Sequence, residues 1–201
     1  QRADFACKES KKKGGNRLTY YWMESDLLSR EKNNVQWIPK IRKAITDGNL
    51  LVYLQPITAC NQNSKNSYEA LVRLKDTDDN NKIISPFFFI EPLEKYGLMH
   101  EVDFFMIEQV IKKISENPKW ASGIDHVSVN LCANTVHRPE LSTFILKTLK
   151  RYNVHANKIC FEITETTELA DLSISQNFIK TLREKGCKFS LDDFGTGMAS
   201  F

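Results

Sequence analysis

Five short stretches of this chain alternate apolar and polar residues, and stretches of helical periodicity separate most of them. The five are LLVYLQPI (50–57), SYEALVRL (67–74), HVSVNL (126–131), KICFEIT (158–164) and KFSLDDF (188–194). Period 2 marks a strand, because successive side chains leave it on opposite faces. The spacing predicts helices over 103–115, 139–151 and 171–185, one before each of the last three strands. Parallel strands need long crossovers, so this alternation predicts an α/β fold, a largely parallel sheet covered by helices.

An earlier helix is expected over 33–47, where Val35, Ile38, Ile41 and Ile45 recur at helical spacing. Asn34 would cap it, and Pro39 would fall in its early turns, where proline disrupts least. Pro56 is expected to end the first strand, and DTDDNNK (76–82) to form a polar loop. Residues 1–20 read as a helix end stopped at Gly14-Gly15.

The alternation also sorts side chains by face. In the second strand Glu69, Leu71 and Arg73 share a face opposite Tyr68, Ala70 and Val72. In the later strands Asn130, Glu162 and Asp192 each oppose an apolar set, and in the first strand Gln55 opposes Leu54. Each of five successive strands therefore puts one acid or amide on the face away from the helices. Ligands of parallel α/β folds bind at the C-terminal ends of the strands.

Glu69, Glu162 and Asp192 at close range would repel unless a cation neutralised them. Oxygen ligands of this kind suit Mg²⁺, Mn²⁺ or Ca²⁺. Asp193 cannot share the face of Asp192, but at the turn beyond it could hold a second ion. Two ions about 3.5–4 Å apart clamp the attacking and leaving oxygens of a phosphoester displacement. Each residue also has a plainer reading. A strand glutamate more often pairs with a basic neighbour, Asn130 alone would be a satisfied buried amide, and Asp-Asp before Phe-Gly could cap a helix. Glu69 and Arg73 lie about 13 Å apart along an extended strand, too far for a direct pair. Recurrence on successive strands is what favours a site.

Composition excludes several alternatives. Residues 1–50 carry 11 Lys and Arg against 6 Asp and Glu, whereas residues 51–201 carry 17 against 19. The larger part is thus no general polyanion binder, and neither DNA nor RNA is an expected partner. The Lys11-Lys12-Lys13 cluster reads as a solvated helix end. Five scattered cysteines without CxxC spacing argue against a disulfide framework and a zinc site. Cys160 and Cys187 lie in apolar runs and read as buried thiols in a reducing cytoplasm. No apolar run of about 18 residues is present to span a membrane, and the N-terminus lacks a signal-peptide core.

At these residues the chain resembles the EAL-domain family, the cyclic di-GMP phosphodiesterases. The resemblance runs through LQPI (54–57), YEALVRL (68–74), SPFFFIEPLEKYGL (85–98), VSVNL, FEITE (161–165) and DDFGTG (192–197), in order and spacing, over about 150 residues. It implies a (β/α)₈ TIM-type barrel whose first strand is antiparallel to the rest, with about the first five strands present in this chain. It implies that Glu69, Asn130, Glu162 and Asp192 ligate one metal ion and Asp193 a second, Mg²⁺ or Mn²⁺. Glu165 matches the glutamate that holds the DDFG loop, so Glu69, Asp192, Asp193 and Glu165 form the implied catalytic set. Gln55, Leu71 and Arg73 match positions that contact the dinucleotide. The family's Tyr-Ser-Ser after DDFGTG is replaced by Met198-Ala199-Ser200.

Residues 3–17 resemble the end of a GGDEF domain, the diguanylate cyclase family, with Lys8 where a tyrosine is usual. The expected organisation is thus 1–20 from a GGDEF-like domain, 21–48 linker and helix, and 49–201 an incomplete EAL domain. The implied function of the intact protein is hydrolysis of cyclic di-GMP to linear pGpG in the cytoplasm, with room for an inner-membrane tether and an EAL–EAL homodimer. A degenerate receptor that binds cyclic di-GMP without cleaving it, or a scaffold, is the alternative. A chain ending at Phe201 would lack the family's later lysine and glutamate and is expected to be inert alone.

Overall fold

The computed structural model describes residues 23–60, 64–77, 79–164 and 172–192. Helix α1 (Met23–Thr46) leads into β1 (Leu50–Ile57), β2 (Ser67–Asp76) and the short β3 (Lys82–Ile84). A 3₁₀ turn, α2 (Ile90–Lys95), α3 (Met99–Glu116) and α4 (Pro118–Gly123) precede β4 (Val127–Leu131). Then come α5 (Ala133–Val136), α6 (Glu140–Tyr152), β5 (Ile159–Thr164), α7 (Leu172–Arg183) and β6 (Lys188–Asp192). Among the described residues no helix is long and apolar enough to cross a membrane. The expected helix stop at Gly14-Gly15 lies outside the described residues.

The strands form one sheet in the order β1-β2-β4-β5-β6. β1 runs antiparallel to β2, and β2, β4, β5 and β6 run parallel. The α/β reading and the reversed first strand both hold, as the opening wall of a TIM-type barrel. β3 was not expected: it pairs antiparallel with the end of β2, Leu74–Asp76. Asn80 and Asn81 turn the chain there with φ of 48° and 59°, a conformation asparagine tolerates better than most residues.

Two expectations about α1 are corrected. Asn34 does not cap it and Pro39 is not in its early turns, because the helix begins at Met23. MESDLLSREK ahead of Asn34 is rich in good helix formers and contains no breaker. An interior proline forfeits a backbone hydrogen bond. Just beyond it the helix buries Ile41 and Ala44 against the sheet, which favours keeping it intact. Gly48, at φ 71°, supplies the left-handed residue after the helix, and the Asn49 N–H donates to the Ala44 carbonyl at 2.8 Å. Pro56 does not end β1 either; the strand runs through it to Ile57, as proline allows on an edge strand.

The helix-side face carries Leu50, Ala70, Val72, Leu74, Val127, Val129, Leu131, Phe161 and Ile163, all buried. α3 lies against β4 and α6, and α6 against α7. Phe161, Phe178 and Phe189 pack as a triangle with ring centroids 5.7–6.3 Å apart. At the N-terminal ends of the strands, Lys188 Nζ donates to both Asp125 oxygens at 2.7 and 2.8 Å, and His126 Nδ1 lies 2.8 Å from the same carboxylate. These contacts tie β6 to the start of β4 and hold the Asp125 carboxyl below the usual range, the Lys188 hydrogen bond contributing most. The four described cysteines are free, with Cys160 and Cys187 buried as expected. Burial pushes the Cys187 thiol up to about 11.

Candidate active site

Register decides which polar side chains meet on the face away from the helices. Gln55 lies opposite Glu69, and Glu69 opposite Ser128. Asn130, two residues beyond Ser128, lies opposite Glu162, which lies opposite Ser190. Asp192, two beyond Ser190, lies opposite Thr164. Because facing residues in a ladder point to the same side, Gln55, Glu69, Asn130, Glu162 and Asp192 share the inner face. They climb across it by one two-residue step from Glu69 to Asn130 and by another from Glu162 to Asp192.

Two hydrogen bonds join parts of this row. Asn130 Nδ2 donates to Glu69 Oε1 at 2.9 Å, across β4 to β2. Ser190 Oγ donates to Glu162 Oε1 at 3.1 Å, across β6 to β5. Glu69 and Glu162 are half-buried, while Gln55, Asn130 and Asp192 are exposed. Glu69 is not near the C-terminal end of its own strand, as the other ligand candidates are. β2 continues past the top of β4 to pair with β3, so Glu69 belongs to the row by register.

Leu71 and Arg73 lie higher on the same face, opposite Tyr53 and Leu51. Arg73 Nη1 donates to the Val72 carbonyl at 2.7 Å, and its guanidinium lies over the Tyr53 ring, 5.8 Å from the centroid. Tyr53 was not singled out from the sequence, although alternation already put it on the face of Gln55.

Behind the row stands Asp103, a residue the sequence reading passed over. It lies on α3, is 3% exposed, and accepts from the Cys132 N–H at 3.1 Å and from Thr135 Oγ1. It thereby anchors the turn that begins just after Asn130. Burial pushes its carboxyl up to about 7, against the opposing pull of those two hydrogen bonds. Helical spacing from Met99 through Val102, Met106 and Ile107 already puts Asp103 on the buried stripe of α3; what the sequence does not show is its pairing with the turn at Cys132 and Thr135.

Asp193 and Glu165 lie outside the described residues. Among the described residues no group of three or more histidines, cysteines, aspartates and glutamates comes together to hold a metal ion. Glu69 and Glu162 are instead bonded to the neighbouring Asn130 and Ser190. The donor set remains one of hard carboxylate and amide oxygens, the type that suits Mg²⁺ or Mn²⁺. With Nδ2 committed to Glu69, Asn130 retains Oδ1 as the amide oxygen it could offer.

A largely parallel sheet with a reversed first strand, bearing one acid or amide per strand on its inner face, defines an α/β domain of the TIM-barrel type with an acidic inner sheet face. Residues 39–201 match the family described as the EAL domain, and the chain belongs to that family. It is 33% identical over 202 residues to the cyclic di-GMP phosphodiesterase PdeB of Shewanella oneidensis, covering 99% of this chain and 23% of that protein. It is 29% identical over 175 residues to the cyclic di-GMP phosphodiesterase PdeF of Escherichia coli, covering 87% of this chain and 23% of that protein. The chain thus spans about a quarter of the length of these relatives. Among solved structures, a complex of the PaMucR phosphodiesterase with c-di-GMP superposes with a TM-score of 0.72 at 25% identity, over 82% of this chain and 66% of that one. The FimX EAL domain of Xanthomonas citri superposes with a TM-score of 0.70 at 23% identity, over 84% of this chain and 64% of that one, a likeness of fold.

Proposed function

We propose that this chain carries the active-site wall of a metal-dependent phosphodiesterase that hydrolyses cyclic di-GMP to linear pGpG. The observation that carries the reading is the register-matched row Gln55, Glu69, Asn130, Glu162 and Asp192, with Asn130 hydrogen-bonded to Glu69. Glu69, Asn130, Glu162 and Asp192 would hold one Mg²⁺ or Mn²⁺ ion, and Asp193 a second. Bound there, the ions would supply an activated water and polarise the phosphoryl oxygen. The chain's own residues orient the substrate. Arg73 meets a phosphate with charge-assisted hydrogen bonds. Gln55 offers an amide beside Glu69, Leu71 forms an apolar wall, and Glu165 keeps the DDFG loop in place.

The same reading places residues 1–20 at the end of a covalently linked GGDEF domain, 21–48 as linker and helix, and 49–201 as the first part of the EAL domain. The intact protein would act in the cytoplasm, with or without an inner-membrane tether, and could pair through its EAL domains. A receptor that binds cyclic di-GMP without cleaving it is the second reading.

The experiment is pGpG formation by the full-length protein with Mg²⁺ or Mn²⁺, comparing wild type with Glu69→Gln. The hydrolase reading expects turnover by wild type and its loss in the variant. Cyclic di-GMP binding without turnover by wild type would support the receptor. Activity of the variant within a few-fold of wild type would remove Glu69 from the site.

A further inference from the structure

Arg73 stands apart from the other inner-face side chains in how it is held. Among the described residues it has no carboxylate partner. One of its five N–H donors goes to the Val72 carbonyl, and its guanidinium rests on the Tyr53 ring. The Tyr53–Leu71 pair lies between the Gln55–Glu69 pair and the Leu51–Arg73 pair on the same face. Tyr53 is 46% exposed and contributes nothing to the helix-side core.

The choice of a ring rather than an acid matters chemically. A carboxylate would orient the guanidinium but neutralise it, and would compete with any anion. An aromatic face orients it through the ring quadrupole and leaves the full charge and most donors for a ligand. We infer that Tyr53 is a positioning residue for Arg73, aiming the guanidinium over the Glu69 row to meet a phosphate of a cyclic dinucleotide. The inference rests on the proposed function and names the device that presents the phosphate-binding cation. Only the ring is required, so the hydroxyl is dispensable.

The test is a double-mutant cycle in the full-length protein. Binding of a phosphorothioate analogue of cyclic di-GMP, which resists cleavage, is measured by titration calorimetry with Mg²⁺. Arg73→Ala should weaken binding about ten- to hundredfold, the usual range for a charge-assisted contact. Tyr53→Ala should weaken it about three- to thirtyfold, the range of a cation–π contact. The double variant should bind no worse than Arg73→Ala alone, and Tyr53→Phe should match wild type. Tyr53→Leu repeats the test with an apolar side chain of similar bulk should the alanine variant fold poorly. Additive losses would overturn the inference, because Tyr53 would then act on the ligand by itself. Unchanged affinity in both Tyr53→Ala and Tyr53→Leu would overturn it as well, leaving the phosphodiesterase reading intact. No binding by wild type would overturn both.

Discussion

Replacing Asp103 with asparagine tests the balance of forces behind the candidate site. The carboxyl is buried and accepts two hydrogen bonds, yet burial outweighs them and raises its pKa from 3.8 to about 7. An acid raised in this way holds its proton in the folded chain where the unfolded chain has already lost it. Its contribution to stability is therefore complete below pH 3.8 and is lost progressively as pH rises towards 7. The difference between the two values is about 3 units, and each unit corresponds to roughly 1.4 kcal/mol, giving about 4 kcal/mol in all. That is a large share of the roughly 5–15 kcal/mol that stabilises an ordinary domain. Asparagine keeps the shape and one acceptor but cannot titrate. Urea unfolding, followed by tryptophan fluorescence between pH 4.5 and 8, should show wild type losing stability relative to D103N by an amount of this order. Parallel curves for the two proteins would refute the argument and show that Asp103 is ionised throughout.

Two further outcomes are expected. Phe161→Ala should destabilise the domain by about 3–5 kcal/mol, because Phe161 is fully buried against Phe178 and Phe189; thermal unfolding checks this, and a loss under about 1 kcal/mol would show that the neighbours collapse into the space. Ser190→Ala removes the hydrogen bond to Glu162 and should shift the Mn²⁺ midpoint for activation of the full-length protein by about ten- to hundredfold, with stability changed by less than about 1.5 kcal/mol; an unmoved midpoint would separate Ser190 from the function of Glu162.

Strand alternation is legible in the sequence, since period 2 is a local property of the backbone. It picked out the stretch of β1, although Pro56 does not end that strand, and assigned Gln55, Glu69, Asn130, Glu162 and Asp192 to one face. It also put Tyr53 there, although nothing local to Tyr53 announced a role. The polar stretch 76–82 was legible as a break between elements, but the three residues of β3 are too few to show a period. The start of α1 was not legible because Asn34 and Pro39 carry local end signals, whereas the helix formers ahead of them extend the helix back to Met23. What only the tertiary structure decided is pairing. The Asn130–Glu69 bond spans 61 residues of sequence, and the level of Glu69 in the row depends on how far β2 projects beyond β4. The state of Asp103 depends on burial beneath a turn supplied by residues 132–135, about 30 positions away. Face is set by each strand alone, whereas register, burial and charge are set by which strand or loop arrives next to it.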